Sequence, residues 1–486
     1  MRRTYYIVAF ILLTFFGAAA VVQSEEAEMT LGRYWYFVEN IQVTGDSPEL
    51  RLWAALPVEH RGQKVEIGEI YPEPAAVVEE PFGKTKIVFW RQTDLVDGEG
   101  IYFYYDFGYA GELVSGEDID PEKVEPYDEA SPEYQRYTQS EPWIEITDAI
   151  RAQAREIVGD EANSYRKAKK IFDWVVYNIA YLFPDYESRG AAKSFARRSG
   201  DCGEFSAVFC ALCRAEGIPA RTVICCWPWG GGHVWAEALI PPYGWVPVDT
   251  SMAAMFIPRG LAPATEDSIH RFMEITGILE EDPEWLFGNL YPNRLIVSIG
   301  NNLQVKHLDL GVAKVFRFLQ PGGSGAYPLA EEYLGLSDKV VGAGAYVFGE
   351  ERDDPAAARE KASGALGYEC LRVGAYEKAE ELARVAVEAA PGAEDSWLWL
   401  GQAYLGQGKL DAAIDAFHEA LDAKGGGLKP IMDVMCHQYL GVCYQKKGDL
   451  EAARDEFLGV MASGIDYEGS LAFAEEHFDE VMLALE

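Results

Sequence analysis

A repeated pattern in the last quarter of this 486-residue chain constrains its fold more than any other feature. A Leu-Gly pair recurs at intervals of 34 and then 40 residues, at Leu366-Gly367, Leu400-Gly401 and Leu440-Gly441. A glycine follows seven residues after each pair, and an alanine follows twelve residues after it. Periods of this length indicate units that bury an apolar face only by stacking on their neighbours. We therefore predict a separate all-α unit at residues 355–486.

The second copy contains the largest number of positions typical of a known repeat. Trp397, Tyr404, Phe417 and Ala420 stand around its Leu-Gly pair, and together with the period they resemble the tetratricopeptide repeat. The resemblance implies a solenoid that binds a protein partner, and an ordinary helical bundle is the alternative. The predicted copies span about 360–393, 394–427 and 434–467, and a terminal helix follows at Gly469 to Leu485.

The N-terminus has the pattern of an export signal. Met1-Arg-Arg3 supplies positive charge, and a nearly unbroken apolar run extends from Tyr5 to Val22. Residues 1–24 are predicted to be a signal peptide or, because about 20 apolar residues span a bilayer, an uncleaved membrane anchor. We expect an exported protein that is periplasmic, extracellular or membrane-anchored.

The chain is strongly acidic, with a formal net charge of -36 from 78 acidic and 42 basic side chains. Such a field repels the phosphates of nucleic acids and of anionic lipids. We expect no nucleic-acid partner, and contact with a membrane only through an uncleaved N-terminal segment.

Short aromatic and β-branched runs separated by turns occupy residues 25–111 and predict a β-sandwich domain. The predicted strands are Tyr34 to Val38, Arg51 to Leu56, Val65 to Ile70, Lys86 to Trp90 and Ile101 to Phe107. The next stretch, 112–142, is acidic, contains prolines and has few apolar residues. It is interpreted as a linker.

Residues 143–350 mix helical and strand periodicities and predict an α+β core with a strand extension. Apolar residues from Ala168 to Ile179 recur at three- and four-residue spacing, and a second helix is predicted from Gly203 to about Glu216. Strands are predicted at Arg221 to Trp227, Val234 to Ile240 and Trp245 to Val248, with others near Leu295 to Ser298 and Val315 to Leu319.

Three side chains in this core supply the parts of a nucleophilic site. Cys202 lies directly before the second helix, His233 begins a predicted strand, and Asp249 follows the next strand. The N–H groups and dipole of a helix start favour a thiolate. An imidazole exchanges the proton, and a carboxylate orients the imidazole. Asp201 is the predicted helix cap, with Ser199 as the alternative, and the charge of Asp201 works against the thiolate.

The hairpin between these strands needs an odd number of loop residues if His233 and Asp249 are to face the same side. A five-residue loop, Ile240 to Gly244, pairs Leu239 with Trp245 and leaves His233 diagonal to Asp249. Side chains at diagonal positions start about 7–8 Å apart, which an imidazole and a carboxylate can bridge.

The segments around the three residues resemble a known family. The ordered set is Asp-Cys-Gly-Glu-Phe205, Gly-Ile-Pro-Ala-Arg221, Gly-Gly-His-Val-Trp-Ala-Glu237 and Gly-Trp-Val-Pro-Val-Asp249. It closely resembles the transglutaminase-like superfamily, in its exported prokaryotic type. The resemblance implies a papain-like α+β core without metal or other cofactor. It also implies that Cys202 is the nucleophile, His233 the base and acid, and Asp249 the orienting group.

An oxyanion at this site would need hydrogen-bond donors beside the nucleophile. The backbone N–H of Cys202 is one candidate. The family often adds an upstream side chain, for which Tyr181 and Tyr177 are the candidates, and buried helix aromatics are the alternative for both. The stretch from Trp227 to Gly232 is interpreted either as a mobile substrate wall or as a plain loop.

Other motif residues are interpreted as structural. Arg221 and Glu237 match the family but are expected to support the fold. The seven cysteines other than Cys202 are predicted to be buried thiols. Cys210-x-x-Cys213 lacks the second ligand pair of a zinc site, so no metal is expected.

The sequence predicts an exported thiol enzyme that acts on protein or peptide amide bonds through an acyl-enzyme. Protease or amidase activity is favoured over transglutaminase-type acyl transfer, because water is always present and no amine-binding feature is visible. Cleavage of peptidoglycan peptides has only the export signal in its favour. The alternative is a catalytically silent transglutaminase-like scaffold that binds proteins through its repeats.

Overall fold

The computed structural model describes most of the chain after the N-terminal segment. The described residues are 29–181, 189–227, 232–257, 273, 282–306, 313–316, 329–423, 429–465 and 469–485. The predicted signal peptide or anchor, 1–24, lies outside them. Among the described residues, no helix has both the length and the apolar character needed to cross a bilayer.

The strands and helices of the described residues are numbered in chain order. The strands are β1 (Thr30–Glu39), β2 (Glu49–Ala55), β3 (Gln63–Tyr71), β4 (Ala76–Glu79), β5 (Lys86–Gln92), β6 (Ile101–Gly111), β7 (Ala180–Tyr181), β8 (Ser199–Gly200), β9 (Ala220–Cys226), β10 (Gly232–Ile240), β11 (Gly244–Val248), β12 (Leu295–Ile299), β13 (Leu303–Lys306), β14 (Ala313–Phe316), β15 (Leu329–Leu334) and β16 (Val341–Phe348). The helices are α1 (Pro132–Tyr137), α2 (Asp148–Val158), α3 (Ser164–Asn178), α4 (Ala191–Arg197), α5 (Cys202–Ala215), α6 (Thr250–Met255), α7 (Pro355–Arg372), α8 (Tyr376–Ala389), α9 (Glu394–Gly406), α10 (Leu410–Asp422), α11 (Lys429–Lys447), α12 (Leu450–Ser463) and α13 (Ser470–Leu485).

Two four-stranded sheets form the strand-rich N-terminal region, in the orders β16-β1-β6-β3 and β15-β2-β5-β4. All five strands predicted between residues 30 and 110 lie in these sheets, while the short β4 was not predicted. Large aromatic side chains, including Trp53, Trp90 and Tyr105, fill a shared buried core. Aromatic and β-branched residues pack well on pleated surfaces, which explains the sequence pattern.

Two strands of these sheets, β15 and β16, follow the α+β core in the sequence. β15 pairs with β2, and β16 pairs with β1 along its whole length. The prediction that residues up to 350 extend the core is therefore corrected, because these strands complete the sandwich and the core is inserted between them. Val341, Ala343 and Val347 of β16 are buried in this arrangement. Pairing over such a separation leaves no local sequence signal.

The segment 112–142 packs against the core, so the interpretation as a linker is also corrected. Val114 forms a bridge with Leu290, and the Tyr127 hydroxyl donates to the Leu239 carbonyl at 2.7 Å. Tyr137 of α1 is fully buried. The segment has few apolar residues, but these few make the contacts that hold it.

The central α+β core contains a four-stranded sheet in the order β11-β10-β9-β12, with α5 packed on β10 and β9. Residues 202–214 of α5 are all buried, and its two buried charged side chains, Glu204 and Arg214, are paired with Arg189 and Glu141. The predicted helices and the three strands from Arg221 to Val248 are confirmed. β12 and β14 lie at the two later predicted positions, near Leu295 to Ser298 and at the start of Val315 to Leu319. Residues 317–319 lie outside the described part of the chain.

The sandwich covers part of this core sheet and contacts the edge of β12. Ile224, Val234 and Leu295 of the sheet belong to the same buried cluster as the sandwich aromatics. At the β12 edge, Ile296 N–H donates to Gln63 Oε1 at 2.7 Å, and Ile299 N–H donates to the Thr85 hydroxyl at 3.0 Å. An exposed strand edge would invite pairing with another chain, so these contacts protect it.

The C-terminal helices form three successive pairs, α7–α8, α9–α10 and α11–α12, followed by α13. The first helix packs its alanines against Trp35 and Phe37 on the outer face of β1. A salt bridge between Arg359 and Glu39, 2.6 Å long, joins the same two elements. The helical region is therefore docked onto the sandwich through its first repeat.

The glycines of the second and third Leu-Gly pairs, Gly401 and Gly441, allow close packing within their helix pairs. A Cβ atom at Gly401 would lie 2.5 Å from the Phe417 ring, whereas one at Gly392 would meet nothing within 4 Å. We expect Gly401→Ala to lower the free energy of unfolding of the helical region by about 1–3 kcal/mol, because overpacking forces side chains apart. Urea denaturation followed by circular dichroism measures the loss. Gly392→Ala is the control, and an equal effect of both substitutions would contradict the packing argument.

Candidate thiol site

Cys202 is the first residue of α5 and is almost fully buried. Asp201 caps the helix, and its carboxylate accepts from Gly203 N–H at 2.8 Å. The side chain of Glu204 accepts in return from Asp201 N–H at 3.4 Å, which completes a capping box. The Asp-Cys-Gly-Glu sequence therefore fixes the thiol at a helix start, as predicted.

The local environment does not favour a thiolate without a further partner. Burial, with smaller contributions from the charges of Asp201, Asp249 and Glu204, raises the pKa of the Cys202 thiol well above its usual value. A hydrogen bond with the backbone of Val234 acts in the opposite direction. Ionisation of this thiol at neutral pH therefore needs a nearby group that takes its proton.

The hairpin places His233 against Asp249 as the register argument required. Leu239 pairs with Trp245, and His233 Nε2 lies 2.8 Å from Asp249 Oδ2. The register prediction is confirmed, although pairing continues to Ile240 and shortens the turn by two residues. Because Nε2 faces the carboxylate, Nδ1 is the ring nitrogen left to exchange a proton with a thiol.

Asp249 is held by several donors in addition to His233. Its Oδ1 accepts from Met252 N–H at 3.1 Å as the cap of α6, and from the Ser251 hydroxyl at 3.2 Å. The Tyr291 hydroxyl donates to Oδ2 at 2.9 Å. Tyr291 is fully buried and was missed by sequence reasoning, because it lies 42 residues away in a stretch without a motif.

Trp227 lies over the imidazole. Its ring stacks on His233 with centroids 5.3 Å apart and on Tyr291 with centroids 5.4 Å apart. Trp227 thereby covers one face of the His233 imidazole. The rest of the predicted substrate wall, residues 228–231, lies outside the described part of the chain.

Of the two tyrosines proposed as oxyanion donors, Tyr181 is the one beside Cys202. It belongs to β7, which pairs in parallel with β8 immediately before Asp201. Its hydroxyl forms hydrogen bonds with both the side chain and the backbone of Cys202. Burial at that hydroxyl and the neighbouring Cys202 and Asp201 raise the pKa of Tyr181 well above its usual value, so it stays a donor at neutral pH. Tyr177 on α3 is 46% exposed and Tyr181 is 37% exposed as a whole side chain, so the alternative of buried helix aromatics holds for neither.

A second residue missed from the sequence, Arg189, contacts both carboxyl groups of the capping box. All eight cysteines lie in the described part of the chain and are buried thiols, as predicted for the seven others. Arg221 and Glu237 form a buried ion pair 2.8 Å long, which agrees with their structural interpretation.

Comparison with known proteins covers two parts of the chain. The family model of the transglutaminase-like superfamily matches residues 151–250, and that of the tetratricopeptide repeat matches residues 394–425. An uncharacterized protein of Haemophilus influenzae is 27% identical over 156 residues, which are 26% of this chain and 42% of that protein's length. The chain thus spans less than half of that relative.

Solved structures resemble the chain at low identity. A candidate cysteine protease from Cytophaga hutchinsonii is 15% identical, with a TM-score of 0.39 over 66% of this chain and 99% of its own. The periplasmic domain of TgpA from Pseudomonas aeruginosa is 15% identical, with a TM-score of 0.25 over 46% of this chain and 88% of its own. The two family matches show that the chain contains a transglutaminase-like domain and a C-terminal tetratricopeptide repeat.

Proposed function

We propose that the chain is an exported thiol enzyme that cleaves protein or peptide amide bonds through a Cys202–His233–Asp249 triad. The contact of His233 Nε2 with Asp249 Oδ2 carries the proposal, because it fixes the imidazole tautomer and directs Nδ1 away from the carboxylate. The position of Cys202 at the start of a buried helix, hydrogen-bonded to the backbone next to His233, supports the same assignment.

The proposed reaction proceeds through a thioester. The Cys202 sulfur attacks the amide carbon while its proton passes to His233 Nδ1. The carbon–nitrogen bond then breaks, and His233 returns the proton to the leaving amine. Water attacks the thioester, His233 accepts its proton and returns it to sulfur, and a carboxylic acid leaves. An amine in place of water would give acyl transfer, so hydrolysis is the default outcome.

The helical region is proposed to bring the enzyme to a protein partner or substrate. A tetratricopeptide repeat is typical of protein–protein interaction, and the match at residues 394–425 supports this use. The docking of α7 on the sandwich joins the repeats to the rest of the chain. The bound protein would therefore be presented at a fixed position relative to the thiol.

The test uses p-nitrophenyl acetate, a generic acyl donor that needs no knowledge of the natural substrate. We expect an acetyl thioester on Cys202 after acid quenching, detected by peptide mass spectrometry, and continued release of nitrophenol beyond one equivalent. Cys202→Ala is the control and should show neither. A wild-type protein without an adduct or turnover would favour the silent scaffold.

Tyr181 provides a further prediction. We expect Tyr181→Phe to slow acetylation of Cys202 by p-nitrophenyl acetate about ten- to a hundredfold, because acetylation passes through an oxyanion that the hydroxyl would stabilise. Alkylation by iodoacetamide forms no oxyanion and should change little. Tyr177→Phe is the matched control. Equal slowing of both reactions would assign Tyr181 to the support of Cys202 instead.

A further inference from the structure

A buried network of charged side chains lies at the start of α5. Arg189 Nη2 donates to Asp201 Oδ2 at 2.8 Å, and Arg189 Nη1 donates to Glu204 Oε2 at 3.0 Å. None of the three side chains is more than 3% exposed. One guanidinium and two carboxyl groups thus share a space closed to water, directly next to Cys202.

Burial and the shared guanidinium affect the two carboxyl groups of the network differently. Burial and the adjacent Asp201 raise the pKa of Glu204 well above its usual value. Burial also opposes ionisation of Asp201, but Arg189 holds the pKa of that carboxyl below its usual value. Asp201 is therefore the more firmly ionised of the two carboxyl groups, and it is paired with Arg189.

This difference matters because Asp201 has two opposing effects on the thiol. As a cap it positions the helix start that favours a thiolate, whereas its negative charge disfavours one. Without the guanidinium, two carboxyl groups that share one proton would keep a net negative charge at neutral pH. Arg189 compensates that charge and leaves the cap in place.

We propose that Arg189 is a positioning residue of the thiol site, which holds the capping box at the start of α5 and offsets part of the charge of Asp201, so that the Cys202 thiolate forms at a lower pH than it would without the guanidinium. The inference rests on the proposed function of Cys202 as the nucleophile. Arg189 acts through Asp201 and Glu204, which it contacts directly.

The other ionisable groups around Cys202 come from four other elements. They are Tyr181 of β7, Cys225 of β9, His233 of β10 and Asp249 after β11. The carboxyl groups of Asp201 and Glu204 accept hydrogen bonds from Arg189 and from the backbone N–H groups of Gly203 and Asp201. A change at Arg189 therefore reaches Cys202 through the capping box.

The test measures the pH dependence of Cys202 alkylation by iodoacetamide in the full chain, read by mass spectrometry of the Cys202 peptide. In Arg189→Met the midpoint is expected to rise by about one pH unit or more, which slows alkylation about tenfold at neutral pH. Arg198→Met is the control, because Arg198 stacks on Trp174 and Phe195 in the same part of the core. An unchanged midpoint in a folded Arg189→Met protein would overturn the proposal.

A neutral variant keeps the proposal testable if Arg189→Met does not fold. Arg189→Met/Asp201→Asn/Glu204→Gln replaces the guanidinium and both carboxyl groups by neutral side chains and retains an asparagine as the helix cap. This variant should therefore keep the wild-type midpoint of Cys202 alkylation. A midpoint displaced by about one unit in this variant would also overturn the proposal.

The two hypotheses fail in different ways when the profiles are repeated with His233→Ala. If the proposed function is wrong, His233→Ala alone leaves the reactivity of Cys202 unchanged. If the role of Arg189 is wrong, Arg189→Met leaves the midpoint unchanged with either residue at position 233.

Discussion

Replacement of His233 by alanine is expected to slow alkylation of Cys202 about a thousandfold at about pH 6.5. Burial and the nearby charge of Asp201 raise the pKa of the Cys202 thiol, so the thiolate is scarce unless a cation forms beside it. The proposed triad assigns that role to His233, whose Nε2 is held by Asp249 and whose Nδ1 is left for the thiol proton. The rate is measured as the time course of iodoacetamide labelling, with Cys202 resolved from the other buried cysteines by peptide mass spectrometry.

The matched control for this prediction is His418→Ala. His418 is an exposed histidine of α10, whose ring nitrogen lies 3.3 Å from the Tyr444 hydroxyl. Its replacement should leave the labelling rate unchanged. Sluggish labelling of the wild type that His233→Ala does not alter would remove the basis for an enzyme and favour the scaffold.

The parts of the site that depend on short-range pairing could be predicted from the sequence. Strand alternation limited the hairpin to an odd-numbered loop, and the observed pairing of Leu239 with Trp245 agrees with the register predicted for a loop from Ile240 to Gly244. The helix start at Cys202 could also be predicted, because the groups that cap it, Asp201 and Glu204, lie within four residues of each other in the sequence.

The parts that depend on distant segments could not be predicted. Tyr291 reaches Asp249 through the fold, and no period or motif marks it in the sequence. Arg189 could not be identified from the sequence either. Two acidic side chains at a buried helix start indicate only that some cation must pair with them. β15 and β16 join the sandwich because β2 and β1 offer open edges, which only the assembled sheets reveal.

A second buried network ties the sandwich to the strand that carries His233. Glu237 of β10 is fully buried, and its two carboxylate oxygens lie 2.8 Å from His60 Nε2 and 2.8 Å from Arg221 Nη2. The Arg221 guanidinium also stacks on Trp245 at 3.9 Å. His60 comes from the turn between β2 and β3, so the carboxylate joins the two units.

The charge of Glu237 stabilises the fold because its partners outweigh the cost of burial. Burial alone would raise its pKa, but His60 and Arg221 lower it from 4.5 to about 2. A folded-state pKa below the unfolded value means that the ionised form favours folding. The contribution, about 3 kcal/mol from this shift, is complete above pH 4.5 and is lost as the pH falls towards 2.

Glu237→Gln is therefore expected to lower the free energy of unfolding at neutral pH by about 3 kcal/mol, because it leaves Arg221 buried without its carboxylate. The deficit relative to the wild type should shrink as the pH falls from 4.5 towards about 2, where Glu237 itself takes up a proton. Urea denaturation at a series of pH values measures both quantities. Glu66→Gln, at an exposed position of β3, is the control and should cost under about 0.5 kcal/mol. A deficit that does not change with pH would show that packing of the side chain, and not its charge, joins the sandwich to the core.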